Sequence, residues 1–194
     1  MSRLTLTKAK EILGRHTSEE HLFIHAAAVS AAMGAMAEHF GADAEEKEHW
    51  EAIGWLHDVD YEKFPDEHCH HVRELLSGED IDEEDIRNII SHGYGITTEE
   101  VEPTTDLAKS LFAVDELTGI VHAYALMRPE KLEGMQVKSL KKKFKDKKFA
   151  AGCNRDIIKQ GCEKLGMELS EVVGLCIEGM RPHAEEIGLL GTGA

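Results

Sequence analysis

A chain of 194 residues, 42% hydrophobic and 30% charged, is long enough to bury a core without staples and too apolar to stay disordered. Its 37 acidic against 22 basic side chains give a formal charge of −15, which repels a phosphate polymer and excludes extended nucleic-acid binding as the expected role. No run of about 18 apolar residues is present to span a membrane.

Helix punctuation is frequent. The periodicity and breakers predict helices over 5–15, 18–40, 43–58, 66–77, 82–92, 104–127, 137–147, 154–166 and 170–189. Thr17 with Glu20 and Asp43 with Glu46 have capping-box spacing, and Gly41 is placed to end the second helix. No segment alternates apolar and polar residues long enough for a strand. With no repeats, no Pro/Ser-rich linker and only four prolines, the expected class is all-α. The N-terminal residues carry no apolar signal core. The four cysteines, Cys69, Cys153, Cys162 and Cys176, form neither a CxxC pair nor a disulfide framework. A reduced, cytoplasmic setting is expected, with the thiols as small buried residues.

The informative residues are polar ones that interrupt apolar stripes. On the second helix Leu22, Ala26, Val29, Met33, Met36 and Phe40 mark the core face, and His25 falls inside it, with His21 at its edge. On the third, Trp50, Ile53 and Gly54 lead to His57 and then Asp58. On the sixth, Asp115 lies between Leu111 and Thr118 in a stripe that continues through Val121 and Ala125. A buried carboxylate must be paired, protonated or bound to a metal. Each histidine alone reads as a satisfied core residue. Two histidines and two aspartates of compatible geometry read as a metal site that suits Fe, Mn, Zn, Ni or Co without choosing among them.

The order His25, then Leu56-His57-Asp58, then Val114-Asp115-Glu116 resembles the H…HD…D signature of the HD-domain superfamily of metal-dependent hydrolases. Gly54–Glu62, Pro65–His68, Ile90–His92, Ala113–Gly119 and Val137–Arg155 look like a bacterial subgroup of predicted HD hydrolases, so the resemblance covers residues from about 20 to 190. It implies a single HD-type helical bundle over 1–194, with a core of about 18–127 and a C-terminal helical extension of about 128–194. It implies His25, His57, Asp58 and Asp115 as primary ligands, and one or two divalent ions per chain. Binuclear relatives add two histidines, for which His68, in phase with Val72 and Leu75, and His92, after Ile86 and Ile89, are the candidates. The run His57-Asp58-Val59-Asp60-Tyr61 lacks the glycine and lysine of many HD phosphodiesterases, and no GYP motif occurs, so a cyclic-dinucleotide phosphodiesterase is not expected.

The function implied is hydrolysis of a small anionic, phosphorylated substrate, a phosphomonoester or nucleotide, by metal-activated water. Asp60 and Glu62 are candidates to orient or deprotonate that water, or else surface acids at a helix end, while Asp58 can also orient ligands. Seven lysines lie in the eleven residues Lys138–Lys148. Lys141 and Lys145 share a helical face and, with Arg155, are candidates for substrate phosphate; the alternative is a solvated helix face. Two other readings stay open, a di-iron HD oxygenase that needs His68 and His92, and a non-catalytic metal-stabilised sensor or interaction module. Homo-oligomers are allowed. There is no GxGxxG, Walker loop, GxSxG or HExxH.

Overall fold

A computed structural model describes residues 3–192. Its helices are α1 (Leu6–His16), α2 (Glu20–His39), α3 (Ala44–Leu56), α4 (Val72–Leu75), α5 (Glu83–Ile90), α6 (Asp106–Leu126), α7 (Val137–Phe144), α8 (Arg155–Leu165) and α9 (Leu169–Met180), with 3-10 turns at Pro65–Glu67, Ser91–Gly93 and Arg181–His183. Among the described residues no strand forms; an isolated bridge joins Tyr94 and Thr98. The protein is all-α, as its sequence pattern predicts.

Helix starts follow local chemistry. Thr5, Asp43, Asp82, Thr105 and Asn154 each accept a backbone N–H from the first turn of α1, α3, α5, α6 and α8, satisfying donors that the helix itself leaves unpaired. Gly41 adopts φ +79 just beyond α2, as the sequence predicts. The expected Thr17 cap does not form. Thr17 follows α1, its hydroxyl is buried without a partner, and α2 begins at Glu20 after Glu19, which gives no side-chain cap.

Two helices are shorter than the pattern predicts. The run 66–77 yields only α4, because His68 is extended and Cys69 takes φ +71, which no helix continues through. The run 170–189 ends at Met180, because Pro182 cannot donate the next helical hydrogen bond and its ring crowds the preceding turn.

α2 lies at the centre, packed against α3, α6 and α9, while α8 packs on α6. The alanine-rich stretch of α2 lets its neighbours come close. A Cβ at Gly54 of α3 would meet the α2 backbone at Ser30 Cα at 3.0 Å and Met33 Cγ at 2.9 Å. That close crossing sets His57, one turn later, beside α2. A single apolar cluster runs from Leu4 to Leu189 and includes Leu140 and Phe144 of α7 and Ile158 of α8.

Candidate metal centre

Each ligand candidate is delivered by a different end or face. His25 is on α2, His57 follows the last residue of α3, and Asp115 is in the middle of α6. His68 follows the 3-10 turn at Pro65–Glu67, and His92 sits in the turn that ends α5. Three of the four imidazoles have their Nδ1–H tied down. That of His57 donates to Gly54 O (2.7 Å), that of His92 to Ile89 O (2.6 Å), and that of His68 to Asp60 Oδ1 (2.7 Å). Fixing Nδ1 as donor turns each Nε2 lone pair inward, which is how metal-ligating histidines are held.

The inward atoms meet. His25 Nε2 lies 3.0 Å from Asp115 Oδ1 and 3.6 Å from Asp58 Oδ2. His57 Nε2 is 3.3 Å from Asp58 Oδ1 and 3.4 Å from Asp115 Oδ1, yet it makes no hydrogen bond and is fully buried. His68 Nε2 and His92 Nε2 face each other at 2.9 Å, each within 3.5 Å of Asp58 Oδ1. Two lone pairs at that separation repel unless a cation or shared proton lies between them. The orphaned His57 nitrogen, the facing histidines and the N/O donor set fit a divalent transition metal. Asp58 lies within 3.6 Å of all four imidazole Nε2 atoms, and the donor groups overlap, His92 lying with His57 and Asp115 as well as with His68, so the set offers donors for one ion or two.

Charge follows from the same geometry. Burial opposes ionisation of Asp58 and Asp115, but His57, His68 and His92 hold Asp58, and His25 and His57 hold Asp115, well below the ordinary carboxylate range. Burial opposes a charged His57 as well. Asp58 and Asp115 outweigh it and raise that imidazole to about 9.

Several expected roles are corrected. Asp60 is fully buried, and its two oxygens accept from His68 Nδ1 and from the His71 backbone N–H (3.1 Å). It positions His68 and does not reach water. Replacing it, Asp60→Asn, is expected to weaken binding of a second ion by roughly 10–100-fold, the usual cost of losing the group that orients a ligand, and leave the first ion in place. Metal titration checks this; equal loss of both would overturn it. Glu62 caps α2 from 43 and 44 residues away, accepting from Ser18 N, Ser18 Oγ and Glu19 N. It supplies the bonds expected of Thr17, and these engage both of its oxygens.

Arg155 is corrected too. All five of its N–H donors go to backbone carbonyls: Nε to Phe144 O, Nη1 to Ala150 O and Cys153 O, Nη2 to Asp146 O and Phe149 O. The guanidinium ties the 145–153 loop to the end of α7 and has no donor left for phosphate. Arg155→Lys keeps the charge but loses the fork. It should lower stability by about 1–3 kcal/mol and expose the loop to proteolytic nicking. Unchanged melting with weakened phosphate binding would restore the ligand role.

The site opens into a cavity of about 470 Å3, lined by His21, Asp58, His68, Asp115, Glu116 and Cys153 among others. A second depression, of about 640 Å3, shares Gly152 and Cys153 with it and is lined by Lys145, Lys147 and Lys159. Lys141 lines neither. Two residues escaped the sequence reading. Glu116 lines the cavity and accepts from Asn154 N (3.0 Å), and burial, then the charge of Asp115, push its carboxyl upward. Cys69, read as a small apolar residue, has Sγ 3.7 Å from His92 Nε2. Its place next to His68 in the sequence was the available signal.

The HD domain family model matches residues 22–120, from the turn of α2 before His25 to the turn of α6 after Asp115. No curated protein and no solved structure matches the chain.

Proposed function

Because the chain belongs to the HD-domain family, we propose that it is a metal-dependent phosphohydrolase acting on a small phosphomonoester or nucleotide. The observation that carries this reading is the convergence of His25, His57, Asp58 and Asp115, of which His25, Asp58 and Asp115 line the cavity and His57 is fully buried beside them with Nε2 unpaired. The cavity is at the smaller end of the roughly 300–1,000 Å3 usual for small-molecule sites.

A bound divalent cation supplies Lewis acidity toward a phosphoryl oxygen and a water acidified toward neutrality. The protein's own residues supply the rest. Asp58 and Asp115 set the charge at the floor. Lys145 and Lys147, across the Gly152–Cys153 rim, attract the remaining anionic part of the substrate. Glu116, whose carboxyl burial pushes upward, lies at the cavity wall where it is the candidate to pass a proton to the leaving oxygen. Glu116→Gln is therefore expected to slow hydrolysis of an alkyl phosphate by roughly 100-fold or more and to change hydrolysis of p-nitrophenyl phosphate little, since a good leaving group needs no proton. Equal effects on both would remove the acid role.

The reading is tested by loading the protein with Mn, Fe, Co, Ni or Zn, checking the content by elemental analysis, and assaying phosphate release from nucleotides and sugar phosphates. Release from at least one class is expected. No release with metal bound, together with ligand-induced stabilisation, would leave the sensor reading in its place. His68 and His92 beside Asp58 also meet the requirement of the di-iron oxygenase reading, and dioxygen uptake by iron-loaded protein separates the two.

A further inference from the structure

Cys69 is buried but stands outside the main apolar cluster. Its neighbours are imidazoles. His92 Nε2 lies 3.7 Å from Sγ, and His68, the preceding residue, turns its own Nε2 to within 2.9 Å of His92 Nε2. The atoms His68 Nε2, Cys69 Sγ and His92 Nε2 all lie within 4.8 Å of one another. Asp58 Oδ1 adds a fourth donor, 3.2 Å from His68 Nε2 and 3.5 Å from His92 Nε2.

We propose that Cys69 is a thiolate ligand of the second cation position, completing a four-donor set with His68, His92 and Asp58. The inference rests on the metal-site reading above and adds what that reading leaves out, a sulfur donor. A tetrahedral centre with nitrogen or oxygen at about 2.0–2.1 Å and sulfur at about 2.3 Å has donor-to-donor edges of roughly 3.3–3.6 Å. Four of the six edges of such a set, 2.9, 3.2, 3.5 and 3.7 Å, bracket that range, and His68 Nε2 lies within 4.8 Å of Cys69 Sγ, so a small shift of the thiol toward Asp58 would close the set.

The backbone is shaped to hold the sulfur there. Cys69 adopts φ +71, a region that strains a residue with a Cβ and persists only where its surroundings enforce it. The space for Sγ comes from Gly93, where any Cβ would lie 2.6 Å from the sulfur and 3.2 Å from Cys69 Cβ. An apolar filler would need neither device. A thiolate beside a shared carboxylate makes this position soft and rich in negative charge. It then favours Zn, Fe or Co over Mg and Mn, whereas the His25–His57–Asp115 side has no sulfur and is less selective.

The test is a cobalt(II) titration of the whole chain under anaerobic conditions. Two equivalents are expected, with the second producing a thiolate-to-cobalt charge-transfer band beside the visible ligand-field bands. Cys69→Ser should lose that band and bind the second equivalent at least about 10-fold more weakly. Cys153→Ser, which removes the thiol that lines the cavity, should keep it. X-ray absorption on unmutated cobalt protein should show sulfur at about 2.3 Å and needs no variant to fold. Two cobalt ions with ligand-field bands but no sulfur signal would overturn the thiolate and leave the metal site standing. A band lost in Cys153→Ser instead of Cys69→Ser would also overturn it. Failure to bind cobalt at all would overturn both.

Discussion

Asp58→Asn is expected to empty the site of metal and abolish turnover in a protein that remains folded. Asp58 Oδ1 lies within 3.5 Å of the Nε2 atoms of His57, His68 and His92, and Oδ2 is 3.6 Å from that of His25. An amide removes the central charge and turns an N–H toward nitrogens that must present lone pairs. The loss should exceed the roughly 10–100-fold that follows removal of a group merely orienting a ligand. Elemental analysis, phosphate release and circular dichroism check the three parts of this expectation; full metal content in the variant would refute it. The same charges fix the pH dependence of loading. In the metal-free protein Asp58 and Asp115 raise His57 to about 9, so below that pH a cation must displace its proton. Loading should release protons, and apparent affinity should rise with pH up to about 9. Affinity that rises as pH falls would mean that His57 is not a ligand.

The sequence reveals this site only where a residue violates its own helix pattern. His25 and Asp115 sit in apolar stripes, and His57 ends one, so periodicity alone marks them. The all-α class was legible for the same reason, since apolar spacing and caps such as Asp43 and Asn154 are local. What stayed hidden depends on residues distant in the chain. Glu62 looks like a surface acid until the fold brings Ser18, 44 residues earlier, against it. Arg155 looks like a phosphate ligand because its carbonyl partners have no signature in side-chain identity. The left-handed turn at Cys69 was hidden because cysteine is not a usual φ-positive residue, and the phase of His68 with Val72 and Leu75 read as continuous helix. Pro182 was a visible stop, and a reading that weighted it above the apolar run would have ended α9 in the right place.

Asp85→Ala is expected to be the most destabilising single change away from the cavity. Asp85 of α5 accepts from His49 Nε2 of α3 at 3.0 Å, and the side chains are only 6% and 9% exposed. His49 Nδ1 meets Leu4 O at 3.3 Å, so the imidazole is partnered at both nitrogens and joins α5, α3 and the N-terminal segment. Removing one member of a buried pair costs about 3–5 kcal/mol, because the survivor is left without its partner. In a chain of this size that is a fall in Tm on the order of 10 °C. Burial opposes charge on His49, but the hydrogen bond and charge of Asp85 outweigh it and raise the imidazole above its ordinary value. A group whose folded pKa lies above its unfolded value of about 6.5 contributes fully below that pH, and its contribution is lost as pH rises through the folded pKa. The stability gap between the unmutated protein and Asp85→Ala should thus be widest below about pH 6.5 and narrow as pH rises above it, as read from urea unfolding at a series of pH values. A gap that widens with pH would show that the pair is held by neutral His49, and that the charge assigned to it is wrong.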